Sequence, residues 1–174
     1  MKIDIGGGHN PQKGFANVDQ ILEADYCLDL ENDPLPFDDD SIEEAYSAHT
    51  FEHIANLRWV LHEIVRVCRD GAPVEIRVPH WNHPMTHCPG HLHALSEEAV
   101  RQWETFPEVW WGRDSRKMLH LDLVEYVASL DFPEAVRLFK PLGFTEDQIL
   151  RFVPNTCFEM RFFFIVVKNP LHGE

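Results

Sequence analysis

Apolar residues in this chain come in short blocks cut by glycine, proline and aspartate, and the period of the blocks changes along the sequence. Residues 2–5 read as a buried strand that runs straight into three glycines. Residues 16–19 read as a second strand ending in an acid, and residues 26–28 as a third that leads into Asp29 and Leu30. Only ten residues, Pro11 and Gly14 among them, separate Ile5 from Ala16. A parallel crossover normally takes a dozen or more and carries a helix. The favoured reading is parallel strands whose first two crossovers are stripped to loops, which leaves part of one sheet face to be covered from elsewhere.

Beyond a Pro- and Asp-rich turn cluster at 33–41, residues 42–48 give a fourth strand. Leu57, Val60, Leu61, Ile64, Val65 and Cys68 then repeat at the i, i+3, i+4 spacing of one buried helical stripe. Gly71 supplies its stop, and residues 74–78 form a strand closed by Pro79. Ser96 is placed to cap a short helix reaching Trp103, and residues 132–142 look helical up to Gly143. Residues 149–153 and 160–167 are expected to be two closing strands, an antiparallel pair about Pro154 and Asn155. Alternating strand and helix patterns argue an α/β fold.

At 174 residues the chain fits one domain, residues 1–174. It carries 29 acidic against 15 basic residues, a formal charge of −14, and shows no run of Lys or Arg. That balance repels phosphate backbones and sets nucleic acid aside as a partner. No apolar run approaches the roughly 20 residues of a membrane span, and no secretory pattern opens the chain. Cys27, Cys68, Cys88 and Cys157 are scattered, as reduced thiols of a cytoplasmic protein would be.

The glycine run Gly6-Gly7-Gly8 can bring bare backbone against a ligand. A dinucleotide loop would open a helix onto pyrophosphate and place its acid about 20 residues on. Here Asn10-Pro11 follows, with hardly any helix, and Asp19 comes 11 residues after Gly8. Lacking a helix N-terminus, the loop has no strong anion site, and a phosphate-free nucleoside fits it better. No Gly-Lys-Ser/Thr is present to make a P-loop.

As an ordered set, Asp4-Ile5-Gly6-Gly7-Gly8, Asn17-Val18-Asp19, Asp29-Leu30, Pro34-Leu35-Pro36-Phe37 and the segment 46–54 resemble the class I S-adenosylmethionine-dependent methyltransferases, most closely the small type 11 branch. Glu63-Ile64-Val65-Arg66-Val67 with Asp70-Gly71 extends the likeness to about residue 79, and Leu142-Gly143-Phe144 echoes the last helix. The resemblance implies a Rossmann-like, mostly parallel sheet with reduced early helices and an insertion after strand five, residues 80–127, as an acceptor-side or lid segment. It implies S-adenosylmethionine as cofactor. Gly6, Gly7 and Gly8 would lie against its amino acid end, and Asp4 would reach loop amides or its ammonium. Asp19 would take both ribose hydroxyls, Asp29 and Leu30 the adenine, and His49 would sit beside the cofactor. The sequence departs from the family near Asn10, where the third loop glycine is replaced, and in lacking the helix that closes over the cofactor.

Residues 80–93 hold His80, His83, His87, Cys88, His91 and His93. Histidine titrates near neutral pH, so these residues are candidates for the base that deprotonates an acceptor. His80, directly after the fifth strand, is the first choice, with His83 and His49 behind it. No metal is assigned. Should one bind, His83, His87, Cys88, His91 and His93 are the candidate ligands, although Pro89-Gly90 keeps His87 and His91 off a common helix face. Trp81, Trp103, Trp110 and Trp111 either line an acceptor pocket, cover the bare sheet face or form a homodimer interface, cover being preferred. The activity expected is methyl transfer to a hydroxyl or amine of a small molecule of sugar or natural-product type, with no nucleic acid and no membrane as partner. The alternatives are a non-catalytic S-adenosylmethionine-binding module and a metal-dependent enzyme built on the histidines of 80–93.

Overall fold

The computed structural model describes residues 1–112 and 117–168. Five strands come from the first half: β1 (Lys2–Ile5), β2 (Ala16–Asp19), β3 (Tyr26–Cys27), β4 (Glu44–Ala48) and β5 (Pro73–Pro79). Two long ones, β6 (Lys117–Ala128) and β7 (Cys157–Lys168), come from the second. All seven join in one sheet of order β3-β2-β1-β4-β5-β7-β6. The first five pair in parallel, and β7 lies antiparallel between β5 and β6. This is the expected α/β, Rossmann-like, mostly parallel sheet. From β1 the chain steps outward to β2 and β3, then returns to β4 on the other side of β1. That reversal opens a crevice at the carboxyl ends of the strands, where ligands of open α/β sheets bind.

The stripped crossovers are real. Both β1–β2 and β2–β3 are parallel pairs, and no helix lies between residues 6 and 43. The connection after β1 folds back over the sheet instead of carrying a helix. Gln12 N donates to Asp4 Oδ2 at 2.6 Å, and Phe15 packs on Tyr46 with ring centroids 6.0 Å apart. Farther along the same face, ion pairs between Lys2 and Glu44, Glu75 and Arg77, and Glu159 and Arg161 do duty for cover. Parallel sheets are ordinarily covered on both faces, so a half-wet face is a departure.

The opposite face holds the core. Helix α1 (Leu57–Val67) begins at Asn56, whose side chain accepts from Trp59 N at 3.3 Å. Its stripe of Leu57, Val60, Leu61, Ile64 and Val65 is buried with Ile3, Ile5 and Ile76 in one apolar cluster. Helix α2 (Glu97–Thr105) is capped by Ser96, which accepts from Ala99 N at 3.2 Å, and leads into the short α3 (Pro107–Trp110). Trp103 stacks on Phe164 with centroids 5.6 Å apart, and Trp111 Nε1 donates to Trp103 O at 2.7 Å. Trp103 and Trp111 are only 1% and 6% exposed and belong to the core over this sheet face, and Trp103 also borders, with Trp110, a cavity between α1 and α2. Trp81 is exposed.

Two expectations for the second half are corrected. Residues 149–153 are not a strand: helix α5 (Glu146–Phe152) follows α4 (Phe132–Phe139) there. Thr145 Oγ1 accepts from Gln148 N at 3.1 Å while Gln148 Oε1 accepts from Thr145 N at 2.9 Å, a capping box that starts α5. A short apolar run does not distinguish strand from helix by period, and the cap decides it. The antiparallel partner of β7 is β6, whose residues, Ala128 apart, fell within the expected 80–127 insertion. A register shift between Leu121 and Leu123 interrupts its alternation. Among the described residues, the part of that segment off the sheet is 80–112.

Candidate functional site

At the carboxyl ends of β1 and β2 lies a cleft of about 320 Å³, lined by Gly6, Asp19, Asp29, Leu30, Thr50 and His53 together with Gln20, Leu28, Glu31 and Ile54. Its floor is the turn after β1. Gly6, at φ +73, sits so close to Thr50 that a Cβ would fall 2.2 Å from Thr50 Oγ1. Asn17 holds the turn from beneath, its Nδ2 donating to Gly8 O at 2.8 Å. At Gly7 a Cβ would come within 2.6 Å of Asn17 Oδ1 and 2.8 Å of Asp4 Oδ2, whereas at Gly8, φ +54, it would meet open space. Two of the three glycines are therefore required by the packing of the turn itself.

Asp19 ends β2 facing this cleft. Its Oδ2 accepts from Gly8 N at 2.9 Å and its Oδ1 from Ile21 N at 3.1 Å. A carboxylate has about four acceptor positions, so each oxygen keeps one for a ligand hydroxyl. Asp29 lies at the other end of the cleft, where the Asn32 side chain and the Glu31 amide hold its carboxyl below the usual range. Asp4, Gly7 and Gly8 are not among the lining residues. Burial raises the Asp4 carboxyl, and its Oδ1 has no hydrogen-bond partner among the described residues.

The three histidines expected to act as bases lie elsewhere. His49, at φ +54, is not among the residues that line the cleft. Its Nε2 is 3.0 Å from Glu159 Oε2 and its Nδ1 is 3.5 Å from Glu52 Oε1. Glu159 first, then Glu52, raise it to about 9, so it is an imidazolium at neutral pH. His80 is 1% exposed. Burial first, then the charge of His83, lowers it to about 4, and its Nε2 lacks a partner among the described residues. A ring sealed from solvent does not fit the role of a base that must touch an acceptor. His83 is half-buried, with Nδ1 accepting from Met85 N at 3.2 Å, which places its neutral-form proton on Nε2. His87 is exposed, and His93 Nε2 lies 2.9 Å from Ile54 O.

Sequence reasoning included Thr50, His53 and Ile54 in the segment 46–54 but gave them no site role, and after β4 they form one wall of the cleft. Their signal was their place, the carboxyl end of a strand next to the topological reversal. A second cleft, of about 420 Å³, lies between the off-sheet segment and the second half, lined by Trp81, Ser96, Glu97, Glu98, Tyr126, Arg151 and Phe152. Arg151 sits over the Tyr126 ring at 4.6 Å and pairs with Glu97 at 3.0 Å.

Residues 9–74 match the family model described as a methyltransferase domain. Among curated proteins no sequence matches the chain. Among solved structures, an S-adenosylmethionine-dependent methyltransferase from Archaeoglobus fulgidus is similar at TM-score 0.66 and 12% identity, over 94% of this chain and 85% of that one. The Haloferax volcanii protein solved with the Trm112 methyltransferase activator is similar at TM-score 0.57 and 19% identity, over 94% and 81%. A geranyl diphosphate methyltransferase solved with S-adenosylmethionine is similar at TM-score 0.50 and 12% identity, over 94% and 77%.

Proposed function

We propose that this chain is a class I S-adenosylmethionine-dependent methyltransferase, supported by the family-model match over residues 9–74 and by the fold, that it methylates a small molecule and that an amine is the preferred acceptor. The cofactor supplies an electrophilic methyl group on a sulfonium sulfur. The observation that carries the reading is Asp19, which faces the cleft at the end of β2 with one acceptor position free on each oxygen. A vicinal diol matches that pair, as on a ribose. Asp29 and Leu30 take the adenine edge, and Gly6 and Thr50 shape the wall toward the amino acid end. Asp4, Gly7 and Gly8 support the turn. The donor set suits a nucleoside without phosphates, since the carboxylates of Asp19, Asp29 and Glu31 line the cleft.

The choice of amine over hydroxyl rests on the histidines. A hydroxyl acceptor must lose its proton as the new bond forms, and a general base has to receive it. Of the three histidines expected to act as bases, His49 turns both ring nitrogens toward carboxylates, His80 is buried, and His83 commits its lone pair to Met85 N. A neutral amine already carries the attacking lone pair and releases its proton afterwards to water. Residues 80–112 form the acceptor side, and the cleft at Trp81 offers an aromatic wall and the Glu98 carboxylate to an amine-bearing molecule, Arg151 already lying over Tyr126 and pairing with Glu97. Catalysis by the chain is then chiefly positioning.

Calorimetry tests the cofactor site. S-adenosylmethionine and S-adenosylhomocysteine should bind the wild-type chain, and Asp19→Asn should weaken both by about 10- to 100-fold, the scale of a charged hydrogen bond. Release of S-adenosylhomocysteine on incubation with a panel of amines and matched alcohols tests the acceptor. Turnover confined to the alcohols refutes the amine preference, and no cofactor binding at all refutes the whole reading.

A further inference from the structure

Glu52, His53 and His91 form a cluster at the rim of the cleft that methyl transfer leaves unused. Each offers one donor atom, and the three atoms lie within 4.8 Å of one another. Glu52 is 1% exposed, yet neither carboxylate oxygen has a hydrogen-bond partner among the described residues. Its Oε1 faces the His49 imidazolium at 3.5 Å, an ion pair at the outer limit of a hydrogen bond, while Oε2 meets no partner among the described residues. Buried carboxylates are normally paired or bound to a metal. His91 Nδ1 is likewise buried and unpartnered among the described residues.

His53 is arranged as a ligand histidine is. Its Nδ1 lies 3.0 Å from Gly90 O, so the proton sits on Nδ1 and Nε2 keeps its lone pair. A backbone carbonyl in that place fixes the tautomer of metal-bound imidazoles. The two segments that supply the cluster are already fastened. Leu92 N and His93 N both donate to Glu52 O, at 2.6 and 3.3 Å, and His93 Nε2 lies 2.9 Å from Ile54 O. Gly90, at φ +97 after Pro89, makes the turn that presents His91. The rings of His53 and His91 meet edge to face at 4.6 Å.

We infer that Glu52, His53 and His91 bind one divalent transition-metal ion of the zinc type. Two imidazoles and one carboxylate suit zinc, with a fourth position left for an exogenous oxygen. Tetrahedral ligation brings donor atoms to about 3.4 Å apart, and the exposed His53 is free to adjust. The ion would pin the turn after β4 to the segment 88–93 at the rim of the cleft. His83, His87, Cys88 and His93 are not part of this set.

Untagged full-length chain, stripped with a chelator, is titrated with Zn²⁺ by calorimetry and analysed for metal content. One ion per chain is expected. His53→Ala and His91→Ala should each weaken binding at least tenfold, while His87→Ala and Cys88→Ser leave it unchanged. Replacement by Co²⁺ should give visible d–d bands without a thiolate charge-transfer band. Circular dichroism checks that each variant is folded, and His53, being exposed, is the variant least able to disturb the core. The inference fails if folded wild type takes up no stoichiometric zinc, or if binding survives both His53→Ala and His91→Ala. It also fails if binding is lost in His87→Ala or Cys88→Ser. None of these outcomes depends on cofactor binding or methyl transfer.

Discussion

His80 shows how far a residue type can be read without its surroundings. Its place after β5 made it the leading base, but the ring is sealed under Tyr126 and Trp81, with centroids 5.9 and 5.6 Å away. Its chemistry is therefore expressed in stability. The unfolded chain binds a proton at its ordinary value of 6.5, the folded chain only near 4, so protonation favours unfolding. Stability from this residue is full above about pH 6.5 and falls as pH drops toward 4, by about 3 kcal/mol. Urea melts at pH 7 and pH 4.5 should show the wild type losing more stability than His80→Gln, and equal losses would exclude the effect. Asp19 and Asp29 were legible because an acid at a strand end has a fixed place relative to the crevice. The environment of a histidine is set by contacts from distant segments, such as Glu159 for His49, and no local spacing reveals it.

Among the elements, α5 was misread as a strand. The run at 149–153 had the length of a strand, and the Thr145–Gln148 capping box before it is a better guide than the hydrophobicity within it. Thr145→Ala should lower stability by about 1 kcal/mol, measured by chemical denaturation, while cofactor affinity stays as in wild type. An unchanged midpoint would mean that the cap does not hold the helix. By contrast, β1, β2, β4, α1 and β5 were legible, because each is short, bounded by Gly, Pro or Asp, and keeps one period throughout. The strand β6 was hidden by its bulge and by the aromatic and histidine-rich residues before it, which drew attention away from the sheet.

At the scale of the molecule, a cofactor that binds only the folded chain adds to its stability. At 100 times its dissociation constant it contributes about 2.7 kcal/mol, which for a chain of this size raises the melting temperature by about 5–10 °C. S-adenosylhomocysteine should produce that rise in a thermal melt, and ATP should not, since phosphates meet a chain of net charge −14. A matching rise with ATP would contradict the phosphate-free reading of the cleft. No helix among the described residues is long and apolar enough to cross a membrane.

The ion-paired side of the sheet has a consequence of its own. Where helices are replaced by the ion pairs Lys2–Glu44 and Glu75–Arg77, the strands beneath lie one side chain away from bulk electrolyte. Dissolved ions screen such pairs, while the dry side held by Trp103 and Phe164 does not sense them. The two surfaces of a single sheet thus answer to different solvents, one to ionic strength and the other to the agents that weaken apolar contact.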